Sequence, residues 1–168
     1  MTNEQINIVM NNSTRLLFDL DGVQADWCMA FDLRFGAGAS EQFDLLEKED
    51  KDNIKTELAN GDFYRRLPVM EKGVSLVIEM VRRGRDVSIL TSVGRQNPEN
   101  VVRQKKAWIS DVYPADVAKV LLENFFFTLC SEDKAAFARP DICLIDDREK
   151  SRKPFIAAGG MAIDIGDL

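Results

Sequence analysis

The sequence predicts an α/β protein: a doubly wound parallel sheet with a small helical cap inserted after the first strand. Three observations carry this prediction. Short apolar runs ending in Asp, Thr or Ser alternate with segments of helical period, the pattern of βαβ units joined by right-handed crossovers. Residues 24–70 interrupt that alternation with scattered aromatics and a charge run. A 168-residue chain with 45% hydrophobic and 30% charged residues can build one packed core under a soluble surface.

Taken in order, residues 1–13 are polar and Asn-rich and are expected to form a loose leader. Leu16-Leu17-Phe18-Asp19-Leu20 is an apolar run that stops at Asp and Gly, as a buried strand feeding a loop does. Residues 24–70 follow as the expected cap, with Trp27, Phe31, Phe35, Phe43, Phe63 and Tyr64, a Gly36-Ala37-Gly38-Ala39 patch, and the solvated charge run Glu47 to Asp52. After Pro68, Val74, Val77, Ile78 and Val81 stand at helical spacing up to a stop at Gly84.

Asp86 to Thr91 reads as the second strand, and Pro98 to Ser110 as a helix with proline in its first turn. Phe125 to Leu129 is the third strand, Glu132 to Ala138 a short helix, and Ile142 to Ile145 the fourth strand. Glu149 to Ala158 is a helix ending at Gly159-Gly160, and Met161 to Ile165 a last short strand. The expected division is a core of residues 14–23 and 71–168 and a cap of residues 24–70.

Composition removes several function classes. The net charge of −6 argues against a broad nucleic-acid-binding face, which needs concentrated Lys and Arg. The chain has no histidine, which excludes histidine phosphatases, Ser-His-Asp hydrolases and His-ligated zinc enzymes. Three cysteines without Cys-x-x-Cys spacing fit a reducing compartment. With no signal-peptide pattern and no apolar run near the roughly 20 residues that span a bilayer, a cytoplasmic protein without membrane contact is expected. A homodimer is compatible with the sequence.

The polar residues at the strand ends point to one chemistry. Asp19 and Asp21 close the first strand, Thr91 and Ser92 the second, and Asp146 and Asp147 the fourth, while Lys134 opens the helix after the third. In a doubly wound sheet these ends share one edge, where ligands bind. Clustered carboxylates raise one another's pKa unless a cation sits among them, and Mg²⁺ prefers such hard oxygen ligands. The metal, Lys134 and the Thr91 hydroxyl would neutralise a phosphate monoester, so that Asp19 could attack phosphorus. Asp21 would protonate the leaving oxygen and later deprotonate a water. Taken singly, each residue has a plainer reading as a turn former, helix cap or surface lysine; their joint placement does not.

Asp19-Leu20-Asp21-Gly22-Val23, Leu90-Thr91-Ser92, Lys134 and Leu144-Ile145-Asp146-Asp147-Arg148 resemble, in this order, the four motifs of the haloacid dehalogenase superfamily of phosphatases. The resemblance spans residues 15–165 and implies a Rossmann-like core. It implies Asp19 as nucleophile, Asp21 as general acid/base, and Thr91 and Lys134 as phosphate binders. Mg²⁺ would be held by Asp19, the Asp21 carbonyl and the acidic pair, with Asp147 as direct ligand and Asp146 in support. Dehalogenases of the superfamily lack the second aspartate, so Asp21 favours phosphate chemistry.

A narrower resemblance is to the 5′(3′)-deoxyribonucleotidases, through Asp21-Gly22-Val23-Gln24-Ala25-Asp26-Trp27, Gly61-Asp62-Phe63 before Pro68, and Lys105-Lys106-Ala107-Trp108. It implies Trp27 and Phe63 as walls of a nucleobase slot, although both could equally fill the cap core, and Ser92 beside Thr91 at the phosphate. The chain departs from that pattern at Gln24, at Val93 and in its shorter length. The implied substrate is a small phosphorylated molecule of the (deoxy)nucleoside monophosphate class, with a sugar phosphate or other small phosphomonoester as the alternative. A phosphoacceptor signalling module uses similar groups, but there the acidic pair precedes the acceptor aspartate.

Overall fold

A computed structural model describes residues 2–168. Its first element differs from the expected loose leader: Asn3–Asn12 form a helix, α1. Thr2 caps it, its hydroxyl accepting from the Gln5 N–H while the Gln5 side chain accepts from the Thr2 N–H. Ile6 and Met10, four residues apart on one face, are buried in the core. Arg85 holds the far end, donating to the carbonyls of Met10 at 2.6 Å and Ser13 at 2.8 Å.

The remaining elements follow in order. β1 is Arg15–Phe18, shorter than the apolar run suggests because Asp19 and Leu20 already turn. Residues 24–70 fold into α2 (Trp27–Phe35), α3 (Ala39–Phe43), α4 (Lys48–Asn60) and a 3-10 turn, Phe63–Arg66. Then come α5 (Glu71–Arg82), β2 (Asp86–Ser92), α6 (Pro98–Val112), α7 (Ala115–Glu123) and β3 (Phe125–Thr128). A 3-10 turn at Glu132–Phe137, β4 (Ile142–Ile145), α8 (Glu149–Ala157), β5 (Met161–Ile163) and a last 3-10 turn, Ile165–Asp167, complete the chain. α7 is a helix beyond those the sequence predicts, and β5 stops two residues short of its expected end at Ile165.

The five strands form one parallel sheet in the order β3-β2-β1-β4-β5. β1 is central, and the chain builds outward from it first on one side and then on the other. The junction between β1 and β4 is therefore the topological switch point, where a crevice opens beyond the strand ends. Leu16, Leu17, Phe18, Ile89, Leu90, Cys143, Leu144 and Ile145 are almost fully buried, as expected where helices cover both faces.

The inserted segment leaves and re-enters the core at one place. Ala25 bridges Val69, the Asp26 N–H donates to the Pro68 carbonyl at 2.8 Å, and the Met70 N–H donates to the Gln24 carbonyl at 2.8 Å. Gly73, in the first turn of α5, packs directly on this junction: a Cβ there would lie 1.8 Å from the Val23 carbonyl oxygen.

Candidate active site

Beyond β1 the chain tightens into a loop. The Leu20 carbonyl accepts N–H groups from Val23, Gln24 and Ala25 at 3.2, 2.8 and 3.0 Å, and Gly22 donates to the Ala25 carbonyl at 2.9 Å. Gly22 is required twice over: its φ is +79°, and a Cβ would stand 2.3 Å from Asp147 Oδ2. This loop presents the buried Asp19, whose Oδ1 accepts the Leu20 N–H at 2.8 Å.

Lys134, in the 3-10 turn after β3, is 0% exposed, and its Nζ lies 2.8 Å from Asp19 Oδ2 and 2.6 Å from Asp146 Oδ2. The other Asp146 oxygen accepts the Arg148 N–H at 2.9 Å, so both its oxygens have partners. Arg152 steadies the same turn, donating to the Asp146 carbonyl at 2.9 Å while pairing with Asp164 at 2.7 Å. Among the described residues Asp147 makes no ion pair. Ligand oxygens of Asp19, Asp146 and Asp147 come within 4.8 Å of one another.

Lys105 joins the site although it is not among the site residues that the sequence predicts. This buried lysine of α6 donates to Asp21 Oδ2 at 2.8 Å, to Thr91 Oγ1 at 2.8 Å and to the Ser92 carbonyl at 3.2 Å. The signal was present: Lys105 stands in the apolar stripe of α6 with Val101, Trp108 and Ile109, where an unpaired charge would be costly. Because Thr91 Oγ1 accepts from an ammonium, its own proton is free to be offered elsewhere. Ser92 Oγ lies 3.2 Å from Thr128 Oγ1, which donates to the Cys130 carbonyl at 2.7 Å.

The environment separates the carboxyl groups. Burial pushes Asp19 up, but Lys134 and Lys105 outweigh it and hold the carboxyl below the usual range. Burial drives Asp21 the other way, with Asp19 adding to the rise and Lys105 only partly opposing it. Asp21 Oδ1 is buried without a hydrogen-bond partner among the described residues. Burial and then Asp19 raise Asp146. Asp147, despite its solvent access, is pushed up to about 7 by burial of its carboxyl, Asp19 and Asp146.

Four carboxylates thus face two ammonium groups, an excess of negative charge that a divalent cation would neutralise. The donor set is all oxygen, as Mg²⁺ requires. The Asp21 carboxylate stands outside this cluster, engaged by Lys105 instead.

Above the cluster opens a cavity of about 380 Å³, with Asp21, Ser92 and Asp147 among its lining and Trp27, Phe43 and Tyr64 as its aromatic wall. Phe63 is not on that wall. It is buried behind it, edge-on to Trp27 at 6.3 Å, and the neighbouring Tyr64 takes the lining position. Trp27 also stacks on Phe31 at 4.5 Å, which fixes its plane.

No sequence profile of a known family and no curated protein matches the chain. Solved structures do match it. The haloacid dehalogenase-family hydrolase of Deinococcus radiodurans, solved with phosphate and sodium, is 14% identical with a TM-score of 0.54, over 91% of this chain and 80% of its own. The fold is that of the haloacid dehalogenase-like hydrolases. A dehalogenase shares the haloacid dehalogenase fold at 12% identity and a TM-score of 0.60, over 92% and 85% of the two chains. A haloacid dehalogenase-family enzyme of Bacteroides thetaiotaomicron, in complex with magnesium and inorganic phosphate, does so at 15% identity and 0.51, over 90% and 93%.

Proposed function

We propose that the protein is a Mg²⁺-dependent phosphomonoesterase that works through an aspartyl-phosphate on Asp19. One observation carries this reading: Asp19, 2.8 Å from the buried Lys134, shares one oxygen cluster with Asp146 and Asp147, while Asp21, two residues on, turns to Lys105 at 2.8 Å. These environments drive the two carboxyl groups apart, Asp19 down and Asp21 up, as suits an ionised nucleophile and a protonated acid. Asp19, Asp147 and the Asp21 carbonyl would hold the cation, with Asp146 in support, and the cation would supply charge neutralisation for phosphate.

In the first half-reaction an Asp19 carboxylate oxygen bonds to phosphorus as the ester P–O bond breaks, and the leaving oxygen takes the proton of Asp21. In the second, Asp21 takes a proton from water, the water oxygen bonds to phosphorus, and the P–O bond to Asp19 breaks to release phosphate. Lys134 keeps Asp19 ionised, and the Thr91 proton, left free by Lys105, binds a phosphoryl oxygen, with Ser92 beside it. Fold neighbours include a dehalogenase, but a proton-bearing Asp21 serves a leaving alkoxide, which carbon–halogen cleavage does not produce.

The substrate class we assign is the nucleoside monophosphate of the 5′(3′)-deoxyribonucleotidases, with the base against Trp27 and Tyr64. Base stacking on such a face contributes about 1–3 kcal/mol. Three free cysteines suit a cytoplasmic setting, and no helix among the described residues is long and apolar enough to cross a membrane.

Phosphate release with Mg²⁺ from 5′- and 3′-mononucleotides, ribo and deoxy, beside sugar phosphates tests the assignment. Asp19→Asn must abolish turnover; retained turnover refutes the covalent route. Sugar phosphates outpacing every mononucleotide would move the assignment to a general small-molecule phosphatase.

A further inference from the structure

Gln24 is a fully buried polar side chain that the steps above do not use. Its amide nitrogen donates to the Asp19 main-chain carbonyl at 2.5 Å. Its amide oxygen accepts from the hydroxyl of Tyr113, the residue that caps the C-terminus of α6. Tyr113 is itself buried, edge-on to Trp108 at 6.2 Å, and burial pushes its phenol well above the usual range, so it remains a donor. The amide has one workable orientation, because its flip would set two acceptor oxygens against each other at Asp19.

What this amide holds is the peptide unit between Asp19 and Leu20, one residue past the paired part of β1. The oxygen of that unit takes the Gln24 bond, and its N–H donates to Asp19 Oδ1 at 2.8 Å. A peptide unit is planar, so fixing the direction of its oxygen fixes the direction of its N–H. Oδ1 is thereby committed to Leu20 while Oδ2 faces Lys134.

We propose that Gln24, anchored by Tyr113, is a positioning residue that sets the Asp19–Leu20 peptide plane and, through the Leu20 N–H, the rotation of the Asp19 carboxylate. The proposal rests on the reading of Asp19 as nucleophile. It gives α6 a hold on both working aspartates: Lys105 grips Asp21 directly, and Tyr113 reaches Asp19 through Gln24.

Two variants test it. Gln24→Leu keeps approximate volume and removes both hydrogen bonds; Tyr113→Phe removes one hydroxyl from outside the loop. Since misplacing a reacting group by an ångström can cost about a hundredfold, kcat is expected to fall about a hundredfold in Gln24→Leu and about tenfold in Tyr113→Phe, with KM within about twofold. Amide hydrogen exchange at Leu20 should quicken in both, while the Asp146 amide, on the far side of the switch point, stays at its wild-type rate. Unchanged kcat and unchanged Leu20 exchange overturn the proposal, and so does a loss accompanied by equal loosening at Asp146. Should Gln24→Leu not fold, Tyr113→Phe decides alone. A wild-type protein inactive on every phosphomonoester would refute the functional reading, and Leu20 exchange in the variants would still decide whether the strut orients Asp19.

Discussion

Lys105 reaches out of the apolar stripe of α6 to place its ammonium 2.8 Å from the carboxylate of Asp21. The same ammonium lies 2.8 Å from the Thr91 hydroxyl, so one buried charge addresses both the residue proposed to transfer the proton and one proposed to bind phosphate. Lys105→Met removes this charge at similar length. Because Lys105 opposes the rise of Asp21, its loss raises that carboxyl further. The alkaline limb of the pH–rate profile, which in the proposed mechanism reports loss of the Asp21 proton, should move to higher pH. Turnover should fall by about 10²-fold, the scale of a single acid/base contribution. Stopped assays of phosphate release across pH measure both effects.

Lys134 lies with no solvent access between Asp19 and Asp146. Lys134→Ala leaves two carboxylates buried and uncompensated, and breaking a buried pair in this way costs about 3–5 kcal/mol. Urea unfolding in chelator should show that loss, and saturating Mg²⁺ should restore part of it by supplying the missing positive charge. An unfolding midpoint equal to wild type in chelator would contradict the charge arrangement described here.

Asp147, pushed up to about 7 by burial, Asp19 and Asp146, ties stability to pH when no cation is bound. Its folded-state pKa lies above the ordinary 3.8, so the folded protein holds a proton that the unfolded chain releases. Stability from this group is full below about pH 4 and is lost as pH rises toward about 7. A divalent cation relieves the penalty only where the carboxyl has ionised. The rise in melting temperature on adding Mg²⁺ should therefore be larger near pH 8 than near pH 5. An equal rise at both would place the cation elsewhere.

Gly22→Ala would put a methyl 2.3 Å from Asp147 Oδ2 at a φ of +79°. Gly84 is the natural control, because its φ is +73° and nothing lies within 4 Å of its would-be Cβ. Both alanine variants should lose about 1 kcal/mol to backbone strain. Only Gly22→Ala should weaken Mg²⁺ binding, by about tenfold or more, measured by calorimetry.

Much of this site was legible in the sequence because of where a parallel sheet puts its chemistry. β1, β2 and β4 are buried on both faces, so they read as apolar runs, broken only by Ser88 in β2, and the residue that ends each run lies at the binding edge. Asp19, Thr91 and Asp146 are found there by counting to the end of a hydrophobic stretch. α1 was missed because only Ile6 and Met10 of its ten residues are buried, too few to show a period amid asparagines. α7 carries a clear stripe of Val117, Ala118 and Leu121 after Pro114, a signal that was present and passed over. Tyr64 rather than the expected Phe63 lines the cavity because the two sit in a 3-10 turn, where successive side chains point about 120° apart. Lys105 escaped because its partners, Asp21 and Thr91, are far from it in the chain, and a charge in an apolar stripe names no partner by itself.

The stitch that closes residues 24–70, with Ala25 against Val69 and Gln24 bonded to Met70, sets the segment's two ends side by side, and Tyr64, Ala59 and Leu67 tie its body to Gln104, Asn100 and Trp108 of α6. Entry and exit lie side by side, so a different helical stretch between them leaves the strand register untouched, provided that it again covers Val101, Gln104 and Trp108 of α6. The aromatic wall contributed by Trp27, Phe43 and Tyr64 travels with the segment, whereas Asp19, Lys134, Asp146 and Asp147 remain behind on the frame. On the proposed function, substrate range and bond-breaking power therefore sit on different stretches of chain, and a graft between positions 25 and 69 would alter the first while leaving Asp19, Lys134, Asp146 and Asp147 in place.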